Sequence, residues 1–225
     1  SRELLKKMAL ARILIVEDEA ITALDISRVL EKLGYEVIGI ADKGTKAIEL
    51  TDELEPDLIL MDITLKGDLD GIETSALIQR YHNIPVIYLS AHNDDATLER
   101  SRSANSYGYL LKPLNDRDLN SCIKMSLFRF QAENKLKESE DRFKALTELA
   151  LSSIIIISGE KFTYANPYVK ILTGYTPAEL VKMKFWDIVH PDSRELVKQR
   201  GLARQRGEDV PASYEFKILT KSGSV

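Results

Sequence analysis

Apolar residues along the first half of the chain come in short unbroken runs separated by longer segments of helical period. Ile13-Leu14-Ile15-Val16 and Leu58-Ile59-Leu60-Met61 carry no polar residue, the pattern of strands buried on both faces. Strands are read at 12–16, 35–41, 57–61, 85–89 and 107–111, and helices near 19–33, 43–54, 71–82, 93–104 and from 116 onward. Fivefold alternation of strand and helix predicts a five-stranded, doubly wound parallel sheet.

The last of these helices meets no Gly or Pro between Asp116 and Ala150, and residues 131–138 favour helix strongly. Met125, Ala132, Ser139 and Leu146 share one heptad position, and Leu136, Phe143 and Ala150 share another. That stripe fits a polar-interrupted coiled-coil seam and equally a helix solvated all round. After residue 150 the pattern changes. Residues 153–158 are β-rich, Gly159-Glu160 forms a turn and 162–165 return, followed by short helices at 167–173 and 177–180, a helix at 192–206 and a strand at 213–220. The reading is therefore 11–128 as a first domain, 129–150 as a helical linker, and 151–225 as a partial α+β domain that stops at a turn before a further strand.

Composition is that of a globular protein, 44% hydrophobic and 29% charged over 225 residues. No apolar run reaches membrane-spanning length and the first residues lack an export pattern, so a cytoplasmic location is expected. Cys122, the single cysteine, excludes an internal disulfide or cysteine-based zinc cluster. Residues 1–128 hold 15 Lys/Arg against 22 Asp/Glu, net −7, while 129–225 hold 16 against 13, net +3. Neither part is basic enough to expect direct nucleic-acid binding. Arg194, Lys198, Arg200, Arg204 and Arg206 form a local basic series, read as a solvated helix face in preference to a phosphate site.

The chemistry concentrates where strands end. Glu17-Asp18-Glu19 follows the first apolar strand and Asp62 ends the third. Carboxylates gathered at one sheet edge repel each other unless a cation sits among them, and oxygen ligands suit Mg2+. Taken singly, each acid reads as a cap or turn residue, and Lys112-Pro113 as a loop.

In order and approximate spacing, Ile13–Glu19, Asp57–Asp62, Asp70-Gly71-Ile72-Glu73, Leu89-Ser90-Ala91 and Gly108–Pro113 resemble the receiver domain of two-component response regulators, with a flavodoxin-like, CheY-like fold. The resemblance covers about 11–128. It implies Asp62 as phosphoacceptor, Mg2+ held by Glu17, Asp18, Asp62 and the Thr64 backbone carbonyl, and Lys112 as a cation for the phosphoryl oxygens. It further implies Ser90 and Tyr109 as a switch pair, a cis bond before Pro113, and a histidine kinase as phosphodonor. On this reading the chain is a phosphoprotein and phosphoacceptor rather than an enzyme. The rival is a metal-dependent aspartyl-phosphate phosphatase, but those enzymes need an acid where Thr64 stands.

Phe162–Pro167, Leu172–Leu180 and Trp186–Asp192 resemble a PAS domain lacking its last two strands. There Asn166 and Thr173-Gly174-Tyr175 are scaffold. His190 reads as a turn residue before it reads as a haem or metal ligand. The expected protein is a bacterial or archaeal response regulator that signals through the linker to a sensor or interaction module, with homodimerisation through the receiver or the linker helix.

Overall fold

The computed structural model describes residues 9–91 and 106–225; the helix expected at 93–104 lies outside them. The chain divides into two compact units, Ser1–Lys135 and Leu136–Val225. Among the described residues no helix is long and apolar enough to cross a membrane.

In the first unit the order is β1 (Arg12–Val16), α1 (Ala20–Lys32), β2 (Glu36–Ala41), α2 (Gly44–Leu54), β3 (Leu58–Asp62), α3 (Gly71–Gln79), β4 (Val86–Ser90), β5 (Gly108–Leu111) and α4 (Asp116–Glu148). The strands form one sheet, β2-β1-β3-β4-β5, with every pair parallel. Successive residues of each strand feed opposite faces. Ile13, Ile15, Leu58, Leu60, Ile87 and Leu89 pack with Ala23, Ile26 and Leu30 of α1 and Leu119 and Ile123 of α4. Leu14, Val16, Ile59, Met61, Val86 and Tyr88 pack on the other side with Ala47 of α2 and Ile72 and Ile78 of α3. Helices on both faces explain why these strands are apolar without alternation. The expected doubly wound sheet is the one observed.

α3 begins at a capping box, in which the Asp70 side chain accepts from the Glu73 amide and the Glu73 carboxylate accepts from the Asp70 amide. Gly71 donates to the Ile63 carbonyl at 2.9 Å. A Cβ on Gly71 would lie 2.0 Å from the backbone oxygen of Asp62, so only glycine lets α3 start this close to the end of β3.

α4 ends at Glu148, which leaves Ala150 of the proposed heptad outside the helix. Met125, Phe128, Leu136 and Leu146 are exposed on it.

In the second unit β6 (Ile155–Ser158) and β7 (Lys161–Ala165) form an antiparallel hairpin. Three helices follow, α5 (Val169–Thr173), α6 (Pro177–Leu180) and α7 (Pro191–Gln205). Phe162, Val169, Leu180, Phe185, Trp186, Val189 and Val197 are the core. The strand expected at 213–220 is not formed. Its backbone pairs with the rest of the unit at a Val189–Ile218 bridge, where Leu219 donates to Ile188 O and His190 to Lys217 O. Alternating Tyr214, Phe216 and Ile218 suit a strand, but a ladder extends only as far as a neighbouring backbone supplies partners.

Asn166 is fully buried. Its amide donates to Thr147 O at 2.8 Å and Ser152 O at 3.0 Å, and its oxygen accepts from the Ile154 amide at 2.9 Å. It ties the last turn of α4 to β7 and to the chain between them. Asn166→Ala would leave the Thr147 and Ser152 carbonyls and the Ile154 amide without these buried or half-buried hydrogen bonds, an expected loss of about 2–4 kcal/mol from the second unit. Urea unfolding followed by Trp186 fluorescence measures it, because the only tryptophan lies in that unit's core. Gly71→Ala is expected to cost the first unit about 1–3 kcal/mol through forced backbone displacement, read as faster amide exchange across β3.

Candidate functional site

β1 and β3 are neighbours, and their register pairs Val16 with Met61. The next residues, Glu17 and Asp62, therefore leave the sheet at the same level. The chain passes from β1 outward to β2 and then across to β3, so this edge is the topological switch point where open α/β sheets form their crevice. On the other side of β3, Asp62 is level with Leu89, and Ser90 with Leu111, which brings the ends of β4 and β5 alongside.

One carboxylate oxygen from each of Glu17, Asp18 and Asp62 lies within 4.8 Å of the others. Glu17 and Asp62 are buried, at 2% and 5% exposure. Lys112, directly after β5, donates to Glu17 Oε2 and, at 2.6 Å, to Asp62 Oδ2. Its peptide bond to Pro113 is cis, and its own amide donates to Ser90 O at 2.8 Å. The remaining oxygens are oriented by backbone: Asp62 Oδ1 accepts from the Thr64 amide at 3.0 Å, and Glu17 Oε1 from the Glu19 amide at 3.3 Å.

Burial pushes the Glu17 carboxyl above the usual range; the Lys112 hydrogen bond pulls it back and the Asp62 charge raises it again. For Lys112 burial acts to lower the pKa, but its hydrogen bonds to both carboxylates and their charges outweigh it, and the ammonium is held more firmly than usual. Both groups are shifted upward, Glu17 by burial beside a second carboxylate and Lys112 by its two carboxylate partners, which marks a site where like charges are concentrated and one cation restrains them.

All the acids and the lysine expected from the sequence thus converge. Ser90 is buried at the end of β4, and Tyr109 packs on the core face that carries Tyr88. The Thr64 amide faces Asp62. Sequence reasoning missed Lys66, whose ammonium lies 2.9 Å from Asp18 Oδ2; its only sequence signal is a lysine four residues after the strand-end aspartate. The donor set is oxygen-only and anionic, so Glu17, Asp18 and Asp62 fit a hard divalent cation such as Mg2+.

Elsewhere the isolated candidates resolve to structure. His190 Nδ1 accepts from the Asp192 amide at 3.3 Å and caps α7. In the basic series, Arg194 donates to Val189 O, Arg204 to Pro211 O, Arg206 pairs with Glu208, Lys198 sits over Trp186 and Arg200 over Tyr214. The second unit carries an open pocket of about 430 Å³ lined by Ile155, Phe162, Leu172, Phe185 and Tyr214 among others.

The model of the response regulator receiver domain matches residues 13–124, and a PAS fold model matches 162–225. The transcriptional regulatory protein PdtaR of Mycobacterium tuberculosis is 36% identical over 120 residues, covering 53% of this chain and 58% of that protein. This chain therefore spans less than two thirds of that relative's length. The transcriptional regulatory protein YvrH of Bacillus subtilis is 30% identical over 163 residues, 72% of this chain and 68% of that protein. Among solved structures, the signal receiver domain of a modulated diguanylate cyclase from Desulfovibrio desulfuricans is 38% identical with a TM-score of 0.53, covering 55% of this chain and 98% of that one. The N-terminal domain of a response regulator/sensory box/GGDEF protein from Carboxydothermus hydrogenoformans is 40% identical with a TM-score of 0.51, covering 54% and 98%. With a five-stranded parallel sheet, converging strand-end acids and these relatives, the chain belongs to the response regulator family, a receiver domain followed by a PAS fold.

Proposed function

We propose that the chain is a phosphorylation-dependent response regulator that accepts one phosphoryl group on Asp62. The observation that carries this reading is the Lys112 ammonium joining Asp62 to Glu17 beside Asp18. A carboxylate oxygen of Asp62 attacks the phosphorus of the donor, a P–O bond to Asp62 forms, and the bond to the leaving group breaks. With a histidine kinase as donor the leaving group is the imidazole nitrogen; with acetyl phosphate it is acetate.

Burial of Asp62 excludes bulk water from the attacking group, and the Thr64 amide fixes its plane. Lys112 neutralises the carboxylate before transfer and the phosphoryl oxygens during it. Glu17, Asp18, Asp62 and the Thr64 carbonyl would hold Mg2+, which supplies positive charge against the donor oxygens. Ser90 donates to the arriving phosphoryl group, and Tyr109 follows its movement, which changes the surface around β5. The unbroken helix α4 then carries the change toward the PAS fold, in a chain that works in the cytoplasm beside its kinase.

Mass measurement of the chain after incubation with acetyl phosphate and Mg2+ is expected to show one added phosphoryl group, none in Asp62→Asn, and none when the metal is chelated. Undiminished labelling of Asp62→Asn would contradict the assignment, and sustained turnover of phosphate esters would favour a phosphatase.

A further inference from the structure

Lys66 lies in the loop between β3 and α3, one residue before Gly67, whose φ of +130° is a conformation side chains disfavour. The turn brings the Lys66 ammonium to 2.9 Å from Asp18 Oδ2, although the lysine side chain is 82% exposed and Asp18 only 12%. Its attraction extends beyond Asp18 to Glu19 and Glu17. The two lysines divide the acids between them: Lys112 holds Glu17 and Asp62, and Lys66 holds Asp18.

Charge counting separates their roles. Three carboxylates against Lys112 alone leave two negative charges uncompensated, and Lys66 reduces the excess to one. A divalent cation together with Lys112 balances all three carboxylates, which makes the Lys66 charge surplus and places it near a like charge. Lys112, with a side chain only 18% exposed and two short ion pairs, is fixed in place. Lys66, on an exposed loop with one contact to the cluster, is free to leave at little cost.

We propose that Lys66 is a displaceable counter-ion that occupies Asp18 in the metal-free state and sets the cation affinity of the site by competing for that carboxylate. The inference rests on the reading of this centre as a Mg2+ site. Lys66 acts through Asp18 and through the field at the cluster, so it is a positioning residue and not a catalytic one.

The test compares Mg2+ binding to the full chain, by calorimetry, for the wild type, Lys66→Gln and Lys46→Gln. Lys46 pairs with Glu49 on exposed α2 and gives a control with the same change in net charge. At low ionic strength Lys66→Gln is expected to bind Mg2+ roughly two- to fivefold more tightly, the range an exposed ion pair is worth. The gain should vanish near 1 M salt, where the screening length is about 3 Å. The Mg2+-dependent rise in the thermal midpoint should begin at correspondingly lower Mg2+ in that variant. Lys46→Gln should bind as the wild type does. Equal or weaker binding by Lys66→Gln overturns the proposal, as does an equal gain in Lys46→Gln, which would make the effect one of net charge. A wild type that binds no Mg2+ overturns the metal reading itself, a failure visible before any variant is compared.

Discussion

The first unit depends on one ammonium group placed between carboxylates from different strands. Lys112 bonds Glu17 beyond β1 and Asp62 at the end of β3, so a single positive charge stands where three strand ends meet. Buried carboxylates at this separation repel strongly in a medium of lowered dielectric. Hydrophobic burial on both faces of the sheet supplies the stability against which that arrangement is maintained. The lysine turns a destabilising cluster into a tolerable one while leaving it short of positive charge, which is the condition for attracting a cation and then a phosphoryl group.

Backbone geometry serves the same end. Parallel pairing with Val16 opposite Met61 sets Glu17 and Asp62 level, and the absence of a side chain at Gly71 lets α3 start against the carbonyl of Asp62. The Thr64 and Glu19 amides then aim the carboxylates. These constraints are short-range and leave the loop carrying Lys66 outside them, so the first unit combines a half-buried lysine with an exposed one.

The strands and most of the centre were legible in the sequence because they lie on contiguous residues. An apolar run followed at once by acids, as at Ile13–Glu19 and Leu58–Asp62, shows both the strand and where it ends, and five short motifs in order define the receiver. Lys66 was not legible, since its partner Asp18 is 48 positions away on another strand end and a loop lysine carries no periodic signal. The segment 213–220 reads as a strand from its alternation, but alternation describes side-chain faces and not whether a neighbouring backbone runs alongside; here only the bridge at Ile218 forms. Asn166 reads as scaffold in the sequence, and the structure adds how it acts, through backbone groups of Thr147, Ser152 and Ile154 that no local pattern connects.

The most direct measurement of the central interaction is the pH dependence of unfolding free energy for Lys112→Met against the wild type, without metal. Removing the ammonium leaves Glu17 and Asp62 facing each other. Protonation relieves their repulsion, so the folded variant binds protons more readily than its unfolded chain and loses stability as pH rises. The variant should be about 2–3 kcal/mol less stable at neutral pH, somewhat below the cost of breaking a fully buried pair, and the gap should close as pH falls toward about 4. A gap that is absent at neutral pH, or that stays constant across the range, would contradict an account in which this one charge restrains the acids.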